Sequence, residues 1–114
     1  MTIEASQAAG PNRAGPKVLF VEGHITPSGA HSGPVEIRRG MSVRSRDGQA
    51  AGQVAAAVID VDSQAVTHVL LCRWLEVPDY RLVPVGLVAN VEAGIVALDI
   101  SAAEVETMPV REPV

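Results

Sequence analysis

The chain has 114 residues, 47% of them apolar, a formal net charge of −4, and only three aromatics, Phe20, Trp74 and Tyr80. This length makes one domain that can bury a core without staples. The acidic balance works against a phosphate backbone as main partner, and the single cysteine, Cys72, excludes an internal disulfide.

Residues 1–16 are rich in Ala, Gly, Ser, Pro and Gln without an apolar period, and are expected to be a disordered tail. The first residues lack the basic and apolar regions of a signal peptide. The longest unbroken apolar run, 54–59, is far too short to span a membrane. A soluble, cytoplasmic chain is expected. Residues 17–25, KVLFVEGHI, are a candidate strand interrupted by Gly23. Residues 26–34, TPSGAHSGP, read as a flexible linker because Pro and Gly both resist regular structure. The compact domain is expected over 35–110, with a loose tail at 111–114.

Valine dominates this domain, and β-branching favours strands. Residues 41–46 alternate, with Met41 and Val43 on one face and Arg44 and Arg46 on the other. Asp47-Gly48 is a hairpin signal, because glycine tolerates positive φ. The second strand is expected over 53–61, with Gly52 marking a bulge or sharp bend. Asp62-Ser63-Gln64 is the next turn. A long strand follows over 65–75, then a loop at 77–79. A fourth strand runs over 80–85, with Pro84 placed at an edge or end because it cannot donate to a ladder. Residues 86–93 read as a connection carrying Leu87, Val88 and Val91 inward, and 95–100 as the fifth strand. Ser101-Ala102-Ala103-Glu104 fits a capping box, so a short helical turn should follow with Val105 and Met108 inward, ended by Pro109.

This ordered set resembles the PRC-barrel family over roughly residues 36–109. The elements that carry the likeness are Gly40 before the first strand, the Asp47-Gly48 turn, Gly52 before a small-residue strand, Tyr80-Arg81-Leu82-Val83-Pro84, and the closing Met108-Pro109. Family members include the barrel of the photosynthetic reaction-centre H subunit and that of a ribosome maturation factor. The chain has neither the partner domain and barrel aromatics of the latter nor the membrane helix of the former. It is most similar to free-standing bacterial members. The resemblance implies an all-β fold, a small PRC-type β-barrel of five to six strands with a short C-terminal helical turn. It also implies a non-catalytic protein-interaction or assembly module. A ribosome- or RNA-processing-associated factor is the alternative the resemblance allows. A small ligand binder or enzyme with a site between subunits is a third.

No residues assemble a catalytic constellation, and no catalytic, cofactor-binding or metal-binding residue is assigned. His68 and Cys72 share a strand face but lie roughly 13 Å apart along it, beyond hydrogen-bond reach. Cys72 reads as a small buried hydrophobe and His68 as a surface or rim residue. His24, His31 and His68 lack ligand spacing. Asp60 and Asp62 lack the remaining ligands of a calcium loop and read as turn formers. Arg38, Arg39, Arg44 and Arg46 read as a solvated strand edge. Trp74 and Tyr80 bracket a loop with Arg73 and Arg81 beside them, the residue types enriched in binding hot spots. Two readings stay open there, an interaction patch or aromatics closing a barrel end.

The second strand is apolar on both sides. Ala55, Ala57, Ile59 and Val61 fall on one face, and Val54, Ala56 and Val58 on the other. A small barrel buries only one strand face, so the other must meet a helix, the N-terminal segment or a second subunit. A homodimer is expected, with Ala55, Ala57 and Ile59 as the candidate dimer face. An unknown protein partner is also expected; nucleic acid and a membrane span are not.

Overall fold

The computed structural model describes residues 17–28 and 34–111. The expected tail over 1–16, most of the glycine-rich part of the linker with His31, and residues 112–114 lie outside the described residues. The described chain is mostly β, with one short helix near the C-terminus.

The spine is β5, Ala50–Asp60. Its length lets it serve two neighbours on one side. β4, Ser42–Arg44, pairs with its first part, and β1, Lys17–Phe20, pairs with Ala57 to Asp60 at its end. β6, Val66–Trp74, lies on its other side, and β7, Pro78–Pro84, lies beyond β6. β9, Ile95–Leu98, runs parallel to β4 and pairs with β8, Val88–Glu92. The main sheet thus has the order β7-β6-β5-β4-β9-β8, with β1 on β5. β2, Glu22–Ile25, and β3, Val35–Arg38, form a second, two-stranded sheet.

Nine strands are therefore present among the described residues, not five to six. The pairing also leaves β7 and β8 at opposite ends of the sheet rather than joined, so no closed barrel forms. The outer edge of β7 is met by the chain's own C-terminal segment. The Leu82 amide donates to the Pro109 carbonyl at 2.8 Å, and the Arg111 amide donates to the Tyr80 carbonyl at 3.1 Å. An edge strand covered in this way no longer offers a free ladder.

The core lies between the main sheet and the small one. Ile25 and Ile37 of the small sheet pack with Val54, Ala57, Val69, Leu71 and Val83 of the main sheet. Gly23 makes this close approach possible. A Cβ there would lie 2.8 Å from Val66 Cγ2 and 3.2 Å from the Ala57 Cβ. The glycine that looked like a strand breaker is what seats β2 on the sheet, and the break falls instead at Val21, between β1 and β2.

Local chemistry sets the other boundaries. Gly48 has φ +81° and turns the chain between β4 and β5. The Asp60 carboxylate accepts the amides of Asp62 and Ser63, which makes the turn into β6. Residues 86–93 are not merely a connection. A 3-10 turn at Val85–Leu87 leads into β8, and positive φ at Ala93 (52°) and Gly94 (78°) folds β8 back on β9. Val88 is fully buried, and Leu87 and Val91 pack on the core. The helix α1, Ala102–Val105, carries the complete capping box. The Glu104 amide donates to Ser101 Oγ at 3.2 Å, and the Ser101 amide donates to Glu104 Oε1 at 2.8 Å. Val105 is buried, and Met108 packs on the core.

Candidate interaction surface

Strand pairing decides where each candidate side chain points. Across β6 and β7, Arg73 faces Asp79, Leu71 faces Arg81, Cys72 faces Tyr80, and Trp74 faces Pro78. Side chains alternate along a strand. Arg73 and Arg81 therefore lie on the core side of the hairpin, while Trp74 and Tyr80 lie on the opposite side. The four residues do not form one patch.

The two arginines hold the fold together. Asp79 sits between them, 2.9 Å from Arg73 Nη1 and 3.0 Å from Arg81 Nε. Arg81 Nη1 also donates to the carbonyls of Glu106 at 2.8 Å and Met108 at 2.9 Å, just past α1. Arg73 reaches Glu106 at 3.4 Å. The arrangement ties the hairpin to the last turn of the chain and engages both guanidinium groups with the fold's own acceptors.

The aromatic side is open. Trp74 is 64% exposed, and Leu75 and Val77 in the adjoining loop are 58% and 71% exposed. Trp74 Nε1 donates to Gln53 Oε1 at 3.3 Å, which lays the indole over the start of β5. A groove of about 430 Å³ runs from Trp74 and Tyr80 past Cys72 and Gln53 to Arg39 and Ala55. A second groove, about 460 Å³, shares Arg39 and Ala55 and continues to β1 and Arg111. Together they track across the sheet face away from the main core. That face has its own small cluster, in which Ala56, Val58 and Leu70 are buried among Leu19, Ala55, Tyr80 and Leu82.

The expected dimer face of Ala55, Ala57 and Ile59 does not exist as one surface. The β5–β6 register shifts between Val54 and Ala56, which makes Ala55 a bulge. One extra residue reverses the alternation beyond it. Ala57 is 1% exposed and faces Gly23 on the core side together with Ile59, whereas Ala55 packs with the cluster on the opposite face.

The remaining polar candidates have local roles. Cys72 is buried; burial pushes its thiol above the ordinary range, although a hydrogen bond with Tyr80 works the other way. His68 is half-buried with Nδ1 3.0 Å from Thr67 Oγ1. Burial, with Lys17 and Arg111 nearby, holds its imidazole below the ordinary range. Asp47 accepts from the Ser45 hydroxyl and from the Ala102 amide, which ties the Asp47-Gly48 turn to the helix start. Of the four clustered arginines, Arg38 meets Glu36, and Arg46 meets Asp99 and Glu104. Arg44 and Arg39 donate to backbone carbonyls, of Gly48 and Ala55. Among the described residues, no helix is long and apolar enough to cross a membrane, and no group of His, Cys, Asp and Glu is placed to hold a metal ion. No family model matches the chain, and no curated protein matches it.

Proposed function

We propose that the chain is a non-catalytic protein-interaction or assembly module of the PRC-barrel kind, cytoplasmic, that self-associates as a homodimer. The β6–β7 tip is its contact surface. The observation that carries this reading is the exposure of Trp74 at the end of β6 together with Leu75 and Val77 in the short loop that follows. Three large apolar side chains held in water at one tip suit a surface that is covered on association. The tip is also stiff, because Asp79 clamps Arg73 and Arg81 immediately beside it. A rigid anchor loses little conformational freedom on docking. The ordered motifs over 36–109 support the family reading, with the open sheet as a departure from a closed barrel. Closed two-fold dimers are the commonest way to cover such a patch.

Sedimentation equilibrium on wild type and Val77→Glu tests the reading. Val77 is exposed, so the variant should fold normally. The wild type should show a concentration-dependent mass that the variant loses. A wild type that stays monomeric throughout, or a variant that associates as before, would sink the dimer.

A further inference from the structure

The groove between β1 and β5, on the sheet face away from the core, is lined by Lys17, Arg39 and Arg111 and, among the described residues, by no carboxylate. The formal net charge is −4. Arg38, Arg46, Arg73 and Arg81 each meet a carboxylate. Arg39 and Arg111 meet none among the described residues, and both line the same groove. Lys17 joins them there, with its ammonium 3.5 Å from Asp60. Arg39 Nε donates to the Ala55 carbonyl at 3.1 Å. This bond fixes the guanidinium against β5 and leaves its two terminal nitrogens without a partner among the described residues. The groove floor between these cations is aliphatic, formed by Leu19, Ala55 and Ala56. β1 lies at its rim, paired with β5 on one side and, among the described residues, with no strand on the other.

We propose that this groove takes an extended acidic peptide segment of a partner protein, with carboxylates on Arg39 and Arg111 and apolar side chains on Leu19, Ala55 and Ala56. The inference rests on the interaction-module reading and names the chemistry of the partner. Guanidinium groups lacking a carboxylate favour carboxylate ligands by bidentate geometry. The aliphatic floor favours a segment that interleaves acidic and apolar residues, as a strand does. The open edge of β1 offers backbone groups to such a strand. A phosphate backbone fits less well, because it needs an array of cations and this chain is acidic overall. His68 shares this face, opposite Val58, and its neighbours Lys17 and Arg111 make the local field positive.

The test is fluorescence anisotropy with a labelled short peptide of alternating glutamate and valine. A lysine–valine peptide and a single-stranded RNA serve as the comparison ligands. The full chain should bind the acidic peptide, more weakly as salt is added, and prefer it to both others. Arg39→Glu with Arg111→Glu should reduce affinity by about ten-fold or more, while Arg39→Lys with Arg111→Lys, which keeps the charge but not the bidentate geometry, should lose affinity by less than the charge reversal does. The His68 ring, followed by NMR, should titrate at higher pH in the complex, since bound carboxylates offset Lys17 and Arg111. Failure of the wild type to bind the acidic peptide, undiminished binding by the charge-reversed variant, or preference for RNA would each overturn the proposal. A wild type that self-associates through Val77 but ignores the peptide loses this inference and keeps the module reading.

Discussion

A Cβ placed on Gly52 would overlap the backbone carbonyl oxygen of Cys72 on the neighbouring strand. Gly52 also has φ +133°, a conformation that side-chain-bearing residues rarely adopt. It sits beside the register shift between β4 and β5, where Val43 pairs with Gly52 and Arg44 with Ala50. Backbone, unlike a flexible side chain, cannot move aside without breaking the β5–β6 ladder. Gly52→Ala should therefore cost about 2–4 kcal/mol, from combined overpacking and backbone strain. Urea unfolding followed by circular dichroism measures it. A midpoint equal to that of wild type would refute the argument.

Gly23 is a milder case of the same kind. Its φ is ordinary, but an added methyl would press on Val66 and Ala57 in the core. Gly23→Ala should cost about 1–3 kcal/mol. Gly86 is the control, because nothing lies within 4 Å of a Cβ built there. Gly86→Ala should be neutral or stabilising by a few tenths of a kcal/mol, roughly, through the unfolded state. Equal losses at both sites would mean that glycine content, not the seat of β2, matters.

What could be read from the sequence was local. The Asp47-Gly48 turn, the Ser101–Glu104 box and the position of Pro84 at the end of β7 each depend on a few neighbouring residues. What could not be read depended on partners far along the chain. The Ala55 bulge is a property of β5 and β6 together, and it alone scrambles the alternation used to group Ala55, Ala57 and Ile59. β8 was hidden because its turn uses Ala93 at positive φ, where sequence gives no warning. The grouping of Arg73 and Arg81 with Trp74 and Tyr80 failed because strand alternation sends them to opposite sides. The backbone acceptors of Arg81 lie 25 and 27 residues away.

Asp79 is the only anion common to Arg73 and Arg81 among the described residues, and the three side chains are 16–19% exposed. Removing its charge leaves Arg81 without a carboxylate and Arg73 with only the exposed Glu106, in a poorly hydrated place. Asp79→Asn should destabilise by about 2–4 kcal/mol, more than an exposed pair would. The unfolding midpoint should fall with the slope unchanged. Arg46, whose bridges to Asp99 and Glu104 are exposed, provides the comparison. Arg46→Gln should cost no more than about 1 kcal/mol. Similar losses for both variants would contradict the reading of the Arg73–Asp79–Arg81 group as structural.

Below neutral pH, the pH dependence of stability should run in one direction. Glu104 is held below its ordinary 4.5, first by the Ser101 amide. Asp47 is held below 3.8, first by the Ser45 hydroxyl. For Asp60, burial pulls upward, but the Ser63 and Asp62 amides and Lys17 outweigh it. His68 is lowered from 6.5 by burial, then by Lys17 and Arg111. Each of these groups binds its proton more weakly when folded, so each contributes stability above its unfolded value and loses it as pH falls. Stability should therefore decline first as pH drops below about 6.5 and again below about 4.5. His68→Gln should remove the first step alone. Ser101→Ala should cost about 1 kcal/mol at neutral pH and reduce the second step. A stability profile that rises on acidification would be incompatible with these shifts.

Cys72 gives a chemical reading of the open face. Its side chain is 3% exposed, opposite Tyr80 and beneath the groove that Trp74 borders. The thiolate is the reactive form, and burial raises the pH at which it appears. Labelling by a thiol reagent at neutral pH should be far slower in the folded chain than in denaturant. The Tyr80 hydrogen bond opposes the effect of burial, so Tyr80→Phe has two competing consequences. It removes a contact that favours the thiolate, and it takes away a hydroxyl without opening a cavity of any size. The first should win at constant fold, because the ring still covers the sulfur. The variant's labelling should therefore shift to higher pH. Measuring rate against pH on both proteins separates thiolate formation from access. A native rate equal to that in denaturant would show that the face opens readily and that Cys72 is not part of a fixed floor.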